Sequence, residues 1–401
     1  MYPIFVADRP ASLDILSKLT DFEGKFGILS HAFTTDNFKK KFRDFPITNV
    51  KIGDSGIYQG RSISYEKLFN EYQRMGVSHG IIKDYYRQQE KTLKSAKEAI
   101  GIYIRGKEEG KYSFQLLGVA QGNTVAQYFQ SYQAQKELGF KMVAIGGLLY
   151  KIENHKRMVK LRSQTFLENV LSALRTSYPN DDLLPLGVFN RKRIGTLNLF
   201  NIWGADYKGW IFQYNIDESH KLGNRHDQVL KYIRNEILNP SVIQGMKIEN
   251  NIVTLNSGLR RKRLLIMSCS KSKRDDGGKA INVYDGPAYK ILRKYNKRNK
   301  DIDVKIISAK YALIDKNDLI EPYDYKMDQN ISEVYKKVLV ESLRSLIKKY
   351  DEVFVFGGKL YQNVMPMDPK LRFSDGTIGK QLHQLNSWLN KQEKLNYFQQ
   401  G

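Results

Sequence analysis

Four short stretches place a carboxylate or an amide beside glycine or at the end of an apolar run, and a fifth is a glycine pair. They are Asp54-Ser55-Gly56, Asp84 after GIIK, Gln121-Gly122, Gly146-Gly147 and Asp206. Together these residue types can recognise a guanine-like base. Asp84 can accept from the ring N1–H and the exocyclic amine, while Gln121 and the backbone N–H of Gly147 can donate to O6. Glycine lets the backbone approach closely. Two more carboxylates, Asp54 and Asp206, can then work at a glycosidic carbon, one as nucleophile and one as acid/base. Each stretch alone also has an ordinary structural role. Asp-Ser-Gly is turn chemistry, an aspartate caps a helix, and a glycine pair allows tight packing. The competing role for Asp206 is a structural carboxylate paired with Lys208 or Arg191.

The elements that must position these residues decide between the two readings. Apolar, β-branched runs predict strands near 3–7, 26–33, 50–54, 78–83, 113–121, 142–148, 184–189 and 201–206. Between them lie segments such as SYEKLFNEYQRMG, with apolar residues at helical spacing and glycine at the end. Eight strands alternating with helices predict an α/β fold, a (β/α)8 TIM barrel, with an open doubly wound sheet as the alternative. In a barrel the five stretches fall at successive carboxyl ends of strands, where chemistry sits. The expected divisions are a catalytic barrel over 1–220, a helical and basic connector over 221–262, and a smaller α/β domain over 263–401. In the last, RLLIMSC, VKIISA and EVFVFGG are the expected strands.

With 401 residues, the chain exceeds what one core usually serves. The formal charge is +23, spread over blocks such as KKKFR, NRKR, GLRRKR and KYNKRNK. Such charge suits neutralising phosphates more than solubility alone, and favours a nucleic acid over an anionic membrane. The candidate nucleic-acid contacts are Lys208, Arg260, Arg261, Lys262, Arg263, Lys271, Lys273 and Lys310. One cysteine, Cys269, excludes an intramolecular disulfide and a cysteine-rich zinc site, and the six histidines show no ligand spacing. No metal or other cofactor is therefore expected. MYPIFVADRP has no signal-peptide pattern, and no apolar run is long enough to span a bilayer, so a cytoplasmic setting is expected.

The strand-end motifs resemble those of the tRNA-guanine transglycosylases. DSGIYQG is similar to their Asp-Ser-Gly-Gly-Phe/Tyr-Gln, GVAQG to their Gly-x-Val-Gln-Gly, and AIGGL to the glycine-pair string; GADY falls where their nucleophile strand ends. The likeness covers roughly residues 50–210, in the family's order. It implies that Asp54 is the acid/base carboxylate, that Tyr58 stacks near the base, and that Ser55 and Gly56 shape the loop. Asp84 reads the base edge, Gln121, Gly146 and Gly147 hold its carbonyl side, and Asp206 attacks C1′ to hold the sugar as an ester. There are departures: Ile57 stands for the second glycine, IWGADYKGW carries a single carboxylate, and the zinc site and following arginines are missing. The compact length, the absent zinc ligands and the basic charge resemble the DNA-directed branch (DpdA type, often phage-encoded), which exchanges guanine in DNA for a free 7-deazaguanine such as preQ0. For a phage-encoded chain, the cytoplasm is the host's. The same chemistry on tRNA, and a non-catalytic DNA-binding protein on the same fold, are the alternatives.

The C-terminal IMSCSKSK and IISAKYALID resemble a small α/β domain found in YaaA-like and uncharacterised proteins, with Ala312 in place of the usual glycine. Ser268, Ser270, Lys271, Lys273, Ser308, Lys310 and Tyr311 are expected to meet at that sheet's carboxyl edge, where they could hold a phosphate and grip nucleic acid. Cys269 is expected to be a buried small residue.

Overall fold

The computed structural model describes residues 1–57, 61–148, 151–154, 157–160, 164–210, 225–239, 262–298 and 302–390. Tyr58, Arg260 and Arg261 lie outside the described residues. Eight parallel strands form one sheet: β1 (Tyr2–Val6), β2 (Gly27–His31), β3 (Lys51–Asp54), β4 (His79–Ile81), β5 (Gln115–Ala120), β6 (Met142–Ile145), β7 (Leu184–Pro185) and β8 (Gly204–Tyr207). Their order is β8-β1-β2-β3-β4-β5-β6-β7. The outer strands approach each other, since the Trp203 N–H donates to the Leu183 carbonyl at 3.1 Å. The sheet is thus a nearly closed (β/α)8 barrel. Strands buried on both faces read as continuous apolar runs, which is why each overlaps its expected stretch, with Tyr2 and Tyr207 lying one residue outside theirs.

Two contacts show how the surrounding helices are seated. Gly53 of β3 and Gly80 of β4 are register partners, and together they leave room for the Tyr72 ring. Tyr72 lies on the helix Tyr65–Met75, and its hydroxyl donates to the Ile81 carbonyl at 2.7 Å. A Cβ on either glycine would lie 2.5 Å from that ring. Ser64 caps the helix start, accepting from the Lys67 N–H, and Gly76 ends it in the left-handed region at φ +60°. On the next strand, buried Gln135 accepts from the Val119 N–H at 2.9 Å and donates to the Val119 carbonyl. This clamps β5 two residues before Gln121.

The chain divides into two compact units. The first comprises Met1–Asn123, Gln127–Tyr150 and Tyr178–Asn250; the second comprises Thr124–Ala126, Lys151–Ser177 and Asn251–Gly401. The helix Gln164–Ser177 therefore groups with the C-terminal residues, although it falls between two barrel strands in sequence. Its Asn169 amide donates to the Tyr311 and Leu313 carbonyls at 2.6 and 2.9 Å. The second unit is built on a five-stranded sheet, ordered Ala312–Asp315, Ile302–Ser308, Arg263–Ser268, Glu352–Phe356 and Leu371–Phe373, with only the first antiparallel to its neighbour. Among the described residues, no helix is long and apolar enough to cross a membrane.

Candidate active site

The carboxyl rim of the barrel encloses a cavity of about 310 Å³. Its walls include Asp54, Gly56, Asp84, Gln121, Gly146, Gly147, Asp206 and Lys208. The structure thus brings together residues spread over more than 150 positions of chain, because each ends or follows a parallel strand.

Asp54 is the last residue of β3, and the Gly56 N–H donates to its Oδ1 at 3.3 Å. This closes a short Asx turn. Gly56 has φ +68°, and a Cβ there would press on Phe33 and His31. Ser55 is fully buried, and its hydroxyl has no hydrogen-bond partner among the described residues.

Asp84 is buried, and its Oδ2 accepts from Gln121 Nε2 at 2.6 Å. The opposite end of the Gln121 amide accepts from the Arg87 N–H at 3.1 Å, while the Gln121 N–H donates to Ser131 Oγ at 3.2 Å. Asp84, Gln121 and Arg87 therefore form a chain that settles the orientation of the amide. Arg87 adopts φ +59°, an uncommon conformation for a residue with a side chain. Asn123 holds it there, accepting from Arg87 Nε at 2.5 Å and donating to the Arg87 carbonyl at 3.0 Å. Gly146 and Gly147 pass directly over the Gln121 amide. Gly147 has φ +64°, and a Cβ would come within 2.5 Å of Gln121 Oε1. The Tyr128 hydroxyl holds this turn, donating to the Gly146 carbonyl at 2.8 Å.

Asp206 is half-buried on β8, and the Gly187 N–H donates to its Oδ1. Burial first, and then the Asp54 carboxylate, push the Asp84 carboxyl up to about 7; the Gln121 bond pulls the other way. Burial pushes Asp206 up to about 6, opposed by the Gly187 bond and aided by Asp54. Asp54 thus acts electrostatically on both partners. Three carboxylates with mutually dependent protonation in one cavity can divide the roles of nucleophile, acid and hydrogen-bond acceptor.

Of the further wall residues, Asp8, His31 and Gly187 were not singled out from the sequence. Asp8 follows β1 and pairs with Lys208 across 3.4 Å. His31 ends β2 and is the register partner of Asp54. Gly187 holds Asp206, and Tyr86 stands over Gly147. The signal for Asp8 and His31 was the same as for the others, a polar residue closing an apolar strand. Among the described residues, no cluster of His, Cys, Asp and Glu could hold a metal ion.

In the second unit the basic candidates separate. Lys262 and Lys271 are exposed, and Lys273 is half-buried with its ammonium 4.2 Å from the Tyr323 ring centroid. Arg263 and Lys310 do not present charge to solvent, contrary to their expected role as nucleic-acid contacts. Arg263 is buried with its guanidinium 3.9 Å from the Trp388 ring, donating to the Trp388 carbonyl, and Lys310 is buried in a 3.0 Å ion pair with Glu321. An unpaired charge is costly in an interior, so both were recruited into pairs. Ser308 shares a 2.8 Å hydrogen bond with the Tyr323 hydroxyl, and the Tyr311 hydroxyl donates to Glu321 at 3.3 Å. Cys269 is half-buried rather than buried, its sulfur 3.0 Å from the Tyr361 hydroxyl.

Residues 264–391 match the model of a family of unknown function (DUF6884). No curated protein matches the chain. Solved structures similar to it include the YdjI aldolase from Escherichia coli K12, 12% identical, covering 61% of this chain and 91% of that one, with a TM-score of 0.41. Another is a putative fructose-1,6-biphosphate aldolase from Coccidioides immitis, 10% identical, covering 57% and 86%, also at 0.41. Both are too distant to speak to chemistry.

Proposed function

We propose that the chain is a base-exchange transglycosylase that replaces guanine in DNA with a free 7-deazaguanine. The observation that carries this reading is the convergence of Asp54, Asp84 and Asp206 on one cavity with an amide and a glycine turn. The cavity is of the size of small-molecule sites, and its polar groups are few and oriented.

In this reading a guanine flipped from the stack enters the cavity, at a cost of a few kcal/mol. Asp84 accepts from its N1–H and amine, and the Gly147 N–H with the Gln121 amide meets its carbonyl. The Asp206 carboxylate attacks C1′ as the glycosidic bond breaks, and the departing base takes a proton from Asp54. The sugar is left as an ester on Asp206. The incoming 7-deazaguanine gives its N9 proton to Asp54 and attacks C1′ from the original face, releasing Asp206. Two inversions retain the configuration, as in a retaining glycosidase. The residues do this as acids, bases and a nucleophile, and no redox step occurs.

Exchange of radiolabelled guanine and preQ0 into DNA and, in parallel, into tRNA tests the reading. Label entering DNA with wild-type protein and not with Asp206→Asn is expected. Label entering tRNA alone would move the substrate to RNA. Label in neither polymer would leave a binding protein.

A further inference from the structure

A second cavity, of about 410 Å³, lies on the far side of Asp84 and Tyr86, which line both cavities. The two differ sharply in charge. Among the described residues, the walls of the first carry Asp8, Asp54, Asp84 and Asp206 against one lysine or arginine, Lys208. Among the described residues, the second is lined by Arg61 and Lys83, with Asp84 as its sole acid, beside Ser62, Tyr85 and Gln88. One loop serves both, since Lys83, Asp84, Tyr85 and Tyr86 are consecutive after β4.

Both cations are positioned by the fold. The Lys83 ammonium donates to the Ile63 carbonyl at 3.1 Å and stands 3.9 Å from the Tyr65 ring centroid. Of its three donors, the described residues take one. The exposed Arg61 guanidinium lies 5.0 Å from the Phe33 ring centroid, and its five N–H donors suit a phosphate. Tyr85 and Tyr86 supply aromatic faces, and Tyr86 is 44% exposed.

A nucleotide held with its base in the first cavity brings phosphodiesters to the rim. Four carboxylates repel them there, while two cations wait across Asp84 and Tyr86. We infer that the second cavity binds the adjoining nucleotide of the same strand, Arg61 and Lys83 taking its phosphate and the tyrosine pair taking its base or sugar. The inference rests on the proposed function, because it takes the first cavity to hold the exchanged base. A neutral free base has no use for two cations, so the occupant belongs to the polymer.

The test is binding of a fluorescent single-stranded DNA oligonucleotide across a salt series, with calorimetry of free guanine on the same proteins. Arg61→Ala and Lys83→Met are each expected to weaken oligonucleotide binding about tenfold at low salt. Each should flatten the slope of log K against log salt by about 0.7, the share of one phosphate contact on a single strand. Lys83→Arg, which keeps the charge, should restore the slope even if Lys83→Met loosens the loop. Guanine should bind once per chain, equally in wild type and Arg61→Ala. Unchanged slopes in both neutral variants would overturn the inference, as would a second guanine lost in Arg61→Ala. Wild-type protein that binds no guanine yet shows the expected slopes would instead sink the proposed function and leave the phosphate contact standing.

Discussion

At the scale of residues, the site is a set of carboxylates kept apart in role by position. Asp206 and Asp54 are proposed to make and break bonds, so Asp206→Asn and Asp54→Asn should each lower exchange at least a thousandfold, measured by label incorporation. Asp84 and Asp206 are raised to about 7 and about 6, and both must be ionised to act. The kcat/KM for exchange should therefore climb with pH through that range as the two carboxyls ionise, and fall again where Asp54 loses the proton it gives to the departing base. The same shifts act on stability. A carboxyl raised in the folded chain holds a proton that the unfolded chain has already released. The contribution of these two groups to stability is therefore greatest below the unfolded value near 4 and is lost as pH rises to about 7. Urea unfolding at pH 5 and pH 8 should show this loss, and Asp84→Asn should shrink it by about 1–3 kcal/mol. A change in stability between pH 5 and pH 8 that is the same in Asp84→Asn as in wild type would contradict the placement of Asp84 in a buried, acid-rich cavity.

At the scale of elements, glycines set how closely the parts approach. Gly53→Ala and Gly80→Ala would each drive a methyl into the Tyr72 ring, and each should cost about 1–3 kcal/mol in chemical denaturation. Gly147→Ala is different. It forces a left-handed residue against Gln121 Oε1, so guanine binding should fall at least tenfold in calorimetry. The barrel strands were legible because parallel strands buried on both sides read as apolar runs, and the glycine at the end of Tyr65–Met75 marked its helix. The rim residues from Asp54 to Asp206 were legible because they close those runs. Less was visible where tertiary placement decides. Arg87 in a left-handed turn carries no local signal, and the exposed edge strand Leu371–Phe373 has no apolar pattern to mark it. Nor does sequence order show that the helix Gln164–Ser177 groups with the C-terminal residues. Ala312 illustrates a half-read position: it stands where the resembling domains have glycine, and its φ is +61°.

At the scale of the whole molecule, charge and cavity have to cooperate. A net +23 attracts a polyanion from a distance, but the structure separates exposed cations from buried ones. Lys208 stands half-exposed at the rim, whereas Lys310 is locked to Glu321. Lys208→Ala should therefore flatten the salt dependence of DNA binding by about one contact, while Lys310→Ala should lower stability and leave that slope unchanged. Charge alone would serve any DNA-binding protein. What sets this chain apart is the proposed ester between the Asp206 carboxylate and a deoxyribose C1′. The most direct measurement is to mix the protein with DNA in the absence of free base, denature, and map any attached nucleotide by mass spectrometry. A denaturant-stable adduct on the peptide carrying Asp206, released when preQ0 is added before denaturation, is the predicted result. An adduct on another residue, or exchange that proceeds in full with Asp206→Asn, would contradict the account.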